Sequence, residues 1–296
     1  MSDVTVAERL RRLAPGLASA EQKVARTLFA SGMIAGLETV AGLAARSSVS
    51  GPTVLRLTAK LGFSRYDDFQ RELRDELEER RQSPLSLHAA GRSPLGGTLG
   101  KCSSLFSEGV VSSFARLSQG DFERIVDRLC DMRRTILLSG GRVSSLAAQM
   151  LYLHLYQMRP GVRMIQPAVQ SRRDQLLDVD GRCVLVMFDF RRYEKESVSL
   201  ARSAREGGAE IVLFTDPWQS PIARFADYVV SAEVASPSAY DSLVPTFALL
   251  EAVYTEVFER LKDTALARVA RLEGLRTGFE WDADPVVQAQ DLGAHG

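Results

Sequence analysis

Residues 39–63 read TVAGLAARSSVSGPTVLRLTAKLGF, and their spacing decides how the N-terminal part of the chain folds. Val40, Leu43 and Ala44 fall on one face of a short helix, and the polar run Ser47-Ser48-Val49-Ser50 breaks that pattern. A second helix follows, with Val54, Leu55, Thr58 and Leu61 as its inward stripe, Thr53, Arg56 and Lys60 on its outer side, and Gly62 as its stop. Two short helices joined by a tight turn, the second showing bases and hydroxyls to solvent, are how a helix-turn-helix lays a recognition helix in a major groove. On this reading Thr53, Arg56 and Lys60 face the groove, while Ser50 and Gly51 at the helix start lie near phosphates. An ordinary helical hairpin satisfies the same spacing.

The charge pattern bears on this choice. The 296 residues carry 37 Lys+Arg and 37 Asp+Glu, a formal net charge of zero. Residues 1–65 nevertheless hold nine Lys/Arg against four acids, and residues 67–79 then hold seven acids against two Arg. A local basic surface is enough for phosphate contacts even in a neutral protein. Hydrophobic residues at 45% and charged residues at 25% are globular values, and the length suggests about two domains. Cys102, Cys130 and Cys183 are far apart, without metal-ligand or disulfide spacing. No apolar run of about 20 residues and no signal-peptide core is visible, so a cytoplasmic protein without a membrane span is expected.

Around the opening stretch the N-terminal part reads as all helical. Ser19 is expected to cap a helix over AEQKVARTLFAS, with Gln22 completing a capping box. RYDDFQRELRDELEERR forms another helix, with Tyr66, Phe69, Leu73 and Leu77 on one side. QSPLSLHAAGRSPLGGTLG, with two Ser-Pro pairs and four Gly, reads as a linker. Helices are then expected over 106–117 and 122–132. Beyond them, short apolar strands near 135–139, 162–165, 183–188, 210–215 and 228–231 alternate with helical stretches, the last a long helix from about 243 to 272. That alternation predicts a parallel, doubly wound α/β sheet of about five strands. The expected division is a helical domain over 1–82, a linker over 83–100, an α/β domain over 101–272 and a tail over 273–296.

In such a sheet ligands bind beyond the carboxyl ends of the strands, where helix N-termini present free N–H groups. The first strand runs into SGGRVSS, where Gly140 and Gly141 allow a close turn and Ser144 and Ser145 offer hydroxyls. The third runs into DFRRYEKES, and between the two lies Gln170-Ser171-Arg172-Arg173. Arg142, Arg172, Arg173, Arg191 and Arg192 on one rim suggest a pocket for phosphate or carboxylate, since Arg makes bidentate contacts with both. Surface pairing of these arginines with Asp174, Asp189 or Glu194 is the plainer alternative. No GxSxG, Walker or HExxH motif or paired metal-ligand spacing appears, GG at 140–141 is no dinucleotide fingerprint, and no catalytic set, metal or cofactor is expected.

The text at 53–63, TVLRLTAKLGF, with the preceding LASAEQKVARTLFAS and the trailing SRYDDFQREL, resembles the RpiR/MurR family of bacterial transcriptional regulators. These join an RpiR-type helix-turn-helix to a sugar isomerase (SIS) domain. ILLSGG, VLVMFDF and AEIVLFTD followed by QSPIARFADYVV look like SIS text. The resemblance implies a ligand-responsive regulator that binds a double-stranded operator as a homodimer or homotetramer. It also implies ligand contacts at Gly141, Ser144, Ser145 and Ser197. The usual Ser-x-Ser-Gly-x-Thr loop after the third strand is replaced by 189–197, where only Ser197 survives, so guanidiniums stand where hydroxyls are expected. A small anionic metabolite, sugar phosphate or carboxylate, is the implied effector. A sugar-phosphate isomerase is the alternative reading, and an oligomerisation scaffold a third.

Overall fold

The computed structural model describes residues 4–81, 97–165 and 174–277. The N-terminal part consists of five helices: α1 (Val6–Leu13), α2 (Ser19–Ala30), α3 (Val40–Arg46), α4 (Gly51–Lys60) and α5 (Tyr66–Arg81). Their apolar faces close one core around Leu10, Leu28, Leu43, Val54, Leu57, Phe69 and Leu73. Phe63 meets Phe69 edge to face, with ring centroids 5.5 Å apart. Two start signals differ from expectation. The helix expected to be capped by Ser19 has Ala18 at its N-cap, and Glu21 Oε2 accepts from the Ala18 N–H at 2.9 Å. The back-bond is thus made one residue earlier, by a carboxylate, while the Gln22 amide turns to Leu17 O.

The α/β part begins with α6 (Thr98–Arg116) and α7 (Gln119–Cys130). α6 starts inside the stretch read as linker, because residues 98–105 hold no proline and the helical run of 106–116 continues back through Gly100. There follow β1 (Thr135–Gly140), α8 (Ser145–Met158), β2 (Val162–Met164), β3 (Cys183–Phe188), α9 (Lys195–Glu206), β4 (Glu210–Thr215) and β5 (Tyr228–Ser231). The long helix expected from 243 to 272 is two, α10 (Val244–Arg260) and α11 (Lys262–Thr277), interrupted at Leu261. All five strands are parallel, in the order β2-β1-β3-β4-β5. Residues 82–96, the end of the tail beyond 277, and 166–173 lie outside the described residues.

Both faces of the sheet are buried, which is why its strands read as continuous apolar runs. Ile136, Leu138, Val184, Val186, Phe188, Val212 and Phe214 face α7, α8 and α10. The intervening Leu137, Leu185, Met187, Ile211 and Leu213 face α9 and a 3-10 turn at Pro221–Arg224. No helix of the described residues is long and apolar enough to cross a membrane.

The fully buried Arg159 ties the frame together at the foot of the sheet. Its guanidinium donates to Leu129 O at the end of α7, to Arg134 O ahead of β1, and to Pro160 O at 3.1 Å. Arg159→Met would leave those carbonyls without donors while keeping most of the volume. We expect a loss of about 3 kcal/mol, since each orphaned buried acceptor costs on the order of 1–3 kcal/mol. A lowered urea midpoint with an unchanged denaturant slope would register it.

Candidate functional site

α3 and α4 are joined by a turn in which Ser48 takes a left-handed φ of 53°. α4 starts with Pro52 in its first turn, where a missing N–H costs nothing. It ends at Gly62 (φ 94°), where Phe63 N–H returns to Thr58 O at 3.1 Å. Its buried stripe is Val54, Leu57, Thr58 and Leu61, an i, i+3, i+4, i+7 series. Two assignments from the sequence change. Leu55, expected inside, is 46% exposed, and Thr53, expected outside, is 3% exposed. A step of 100° per residue puts Leu57, not Leu55, in line with Val54 and Leu61.

The outward surface of α4 is therefore Leu55, Arg56, Ala59 and Lys60, with Ser50 exposed before it. Thr53 Oγ1 sits beneath, accepting from Arg56 Nη2 at 3.2 Å and paired with Ser50 Oγ at 3.0 Å. It can orient Arg56 but cannot reach past it. Lys60 Nζ lies 2.7 Å from Glu21 Oε2, and this contact holds the Glu21 carboxyl below its ordinary pKa. Arg56 is left as the exposed cation of this face whose contact is with a hydroxyl rather than a carboxylate.

The second site lies where the strand order reverses, between the carboxyl ends of β1 and β3. Gly140 closes β1 against the start of α8; a Cβ there would stand 2.7 Å from Ser145 N and 2.8 Å from Ser144 O, so a side chain has no room. A cleft of about 350 Å³ opens beyond it. Gly141, Arg142 and Ser144 form one wall, and Asp189, Arg191, Arg192 and Glu194 the other, with Tyr240 and Asp241 at the rim. Ser144 Oγ accepts from Gly141 N at 2.9 Å and donates to Phe188 O at 2.7 Å, stitching the two strand ends together.

Several sequence expectations are redrawn here. Ser145 Oγ turns back to Arg142 O at 3.2 Å, and Ser197, 1% exposed, lies under the start of α9; neither lines the cleft. Arg172 and Arg173 lie outside the described residues. Of the remaining arginines, Arg142 and Arg192 are exposed, and Arg192 holds a left-handed φ of 70°. Arg191 is paired with Asp241, its Nε donating to Oδ2 at 3.1 Å, and it lies over the Trp218 ring, 4.7 Å from the centroid. Asp241 was not among the carboxylates foreseen as partners; 50 residues of sequence separate the pair.

Asp189, expected only as a surface partner of an arginine, is bonded to a hydroxyl instead. Buried at 3% exposure, it accepts from Ser220 Oγ and from the Glu194 backbone N–H, and the charges acting on it are those of two acids, Asp216 and Glu194. Burial, reinforced by these two, pushes its pKa up from 3.8 to about 7. Asp216, fully buried, accepts from the Tyr193 hydroxyl at 2.6 Å and from Trp218 N at 3.0 Å. Among the described residues no group of three His, Cys, Asp or Glu side chains is placed to hold a metal ion. The cleft thus offers guanidiniums to an anion, beside a buried carboxyl whose pKa is pushed up to about 7.

The folded Asp189 binds its proton more tightly than the unfolded chain does, so native stability falls as pH rises between about 4 and 7. Asp189→Asn keeps the acceptor for Ser220 and removes that ionisation. Relative to the native chain the variant should gain stability across this window, on the order of 4 kcal/mol at most, at 1.36 kcal/mol per pKa unit. Urea midpoints at pH 4 and pH 8 measure the change; a constant difference would mean that Asp189 ionises normally.

Comparison with known proteins agrees with this two-part architecture. Residues 4–80 match the helix-turn-helix domain of the rpiR family, and residues 131–256 match the SIS domain. An uncharacterized HTH-type transcriptional regulator of Clostridium perfringens is 24% identical over 245 residues, 78% of this chain and 84% of its own. One from Providencia stuartii is 21% identical over 229 residues, 76% of this chain and 79% of its own. Among solved structures, the sugar isomerase domain of an RpiR transcription factor from Sphaerobacter thermophilus aligns with a TM-score of 0.53 at 20% identity, covering 59% of this chain and 97% of that one. The Vibrio vulnificus NanR protein, solved with ManNAc-6P, aligns over 92% of this chain and 99% of its own, with a TM-score of 0.52 at 17% identity. The chain thus joins a helix-turn-helix domain of the rpiR family to a SIS domain, and the relatives it matches over most of its length are HTH-type transcriptional regulators.

Proposed function

We propose that the protein is a cytoplasmic regulator whose operator binding responds to a small anionic metabolite held in the cleft between β1 and β3. The observation that carries this reading is the cluster of Arg142, Arg191 and Arg192 around the Gly140-Gly141 turn, in a chain whose α4 presents an open outer face. Guanidiniums beside backbone N–H groups suit a phosphate or carboxylate. A phosphorylated sugar suits the site best, because Asp189 and Glu194 can face its hydroxyls while the arginines take the phosphate. NanR, which shares this fold, was solved with such a molecule.

On the DNA side, Arg56 reads base edges in this proposal, and Lys60, Ser50 and the Gly51 N–H meet the backbone. Thr53 acts through Arg56. One recognition helix reads few bases, so the working species is a homodimer or homotetramer. Exposed Val111 and Phe114 on α6, Leu146 and Leu153 on α8, and Leu266 on α11 supply apolar surface for self-association.

One observation favours a second reading. Asp189, with a pKa near 7 beside Glu194, has the protonation behaviour of a general acid or base, as a sugar-phosphate isomerase would need. Proton exchange at the carbon next to a sugar-phosphate carbonyl, followed by NMR in deuterated water, separates the two: a sensor leaves that carbon unlabelled.

Arg56→Ala should weaken specific operator binding roughly 5- to 150-fold, matching the 1–3 kcal/mol of a base-reading arginine, while leaving the fold intact. Gel-shift affinity against operator and scrambled DNA tests this, and equal loss on both would make Arg56 a phosphate contact. For the cleft, Arg191→Ala combined with Arg192→Ala should leave specific operator binding at one fixed level, with no response to a sugar phosphate that stabilises the native protein. An unchanged response would move the effector site elsewhere.

A further inference from the structure

The connection from β4 to β5 touches both functional regions. On one side it backs the residues around the cleft: Ser220 holds Asp189, Asp216 holds the Tyr193 hydroxyl, and the Trp218 ring carries the Arg191 guanidinium. On the other side it seats the N-terminal domain. Pro217 O accepts from Thr5 Oγ1, the cap of α1, at 2.8 Å. Gln219 Oε1 accepts from Arg11 Nε at 3.1 Å, and Ala223 O accepts from Arg11 Nη2. Arg11 is buried deeply enough that its pKa falls to about 10, so these acceptors are what keep its charge inside. Gln219 itself is held at a left-handed φ of 58°, a conformation disfavoured for a non-glycine residue that persists only where its surroundings impose it.

Two further details give this connection room and reason to move. A small void of about 20 Å³, roughly one water, lies between it and the helices, lined by Ala7, Phe29, Met33, Trp218 and Ala223. Asp241 already occupies Arg191 in the way an anionic ligand would, so any anion entering the cleft competes with Asp241 for the guanidinium that rests on Trp218.

We propose that the segment Asp216–Arg224 is the route by which cleft occupancy reaches the DNA-binding domain. An anion draws Arg191 away from Asp241 and off the Trp218 ring, and the freed ring and its turn reset the Thr5 and Arg11 anchors of α1. This inference rests on the anion-sensing reading of the cleft. Any such coupling is reciprocal, so DNA bound to α4 alters affinity in the cleft by the same factor.

Hydrogen–deuterium exchange of the full-length protein, read by mass spectrometry, tests the route without a known effector or operator. Asp241→Asn loosens Arg191 with no ligand present. Exchange in peptides covering residues 6–13 should change by about threefold or more, an opening free-energy shift of about 0.65 kcal/mol. Adding Trp218→Leu should cancel that change at α1, and so should adding Arg11→Met, which leaves the ring in place. A second arm adds inorganic phosphate or glucose 6-phosphate against chloride of equal ionic strength. Should Asp241→Asn alter exchange only around the cleft, the route is wrong. It is also wrong if a phosphate probe protects residues 189–194 while α1 stays unmoved. If Asp241→Asn propagates to α1 and neither probe affects the cleft, the route stands and the choice of ligand class fails.

Discussion

A parallel sheet buried on both faces must place its connections at its two ends, and where the strand order reverses, adjacent loops depart in opposite directions. Here that reversal falls between β1 and β3, and the opening it leaves is bridged by one hydroxyl, Ser144, bonded to Gly141 on one side and Phe188 on the other. The cleft, the arginines around it and the β4 connection beneath it all take their positions from this junction. The absence of a side chain at Gly140 is part of the same geometry, since α8 begins in van der Waals contact with the strand end.

Electrostatics in this molecule follow burial more than net charge. The ion cluster under α1 pairs Arg116 with Glu8 at 3.4 Å and with Glu233 at 2.5 Å, and Arg116 and Glu8 are almost wholly covered. Burial raises the Glu8 pKa despite the neighbouring guanidinium. Such groups contribute little net stability, because desolvation offsets attraction, but they penalise any docking of the two domains that leaves one member unpaired. The contact between domains thus includes polar bonds that are specific in their partners.

Much of the fold was legible in the sequence. The five strands were marked by short β-rich apolar runs, and the helix-turn-helix by its period and the Gly62 stop. What escaped was decided by phase or by distance. Leu55 and Thr53 exchanged sides because several apolar stripes can be drawn through ten residues, and only the packing of Leu57 selects one. The break at Leu261 has no glycine or proline to announce it. In the cleft, Gly141, Arg142, Ser144, Arg191 and Arg192 were found from their place after strands. Asp189 and Asp241 were missed as site residues, since burial and a pairing across 50 residues leave no local trace.

The pairing of Lys60 with Glu21 bears on how this surface behaves in salt. A free lysine that meets a phosphate displaces a condensed counterion, and that release steepens the fall of affinity with ionic strength. Lys60 has to give up a carboxylate first, so the phosphate substitutes for Glu21 rather than adding a new contact. The log–log salt plot for this domain should therefore be shallower than a tally of its exposed bases would suggest, with indiscriminate attraction to DNA reduced in the same measure.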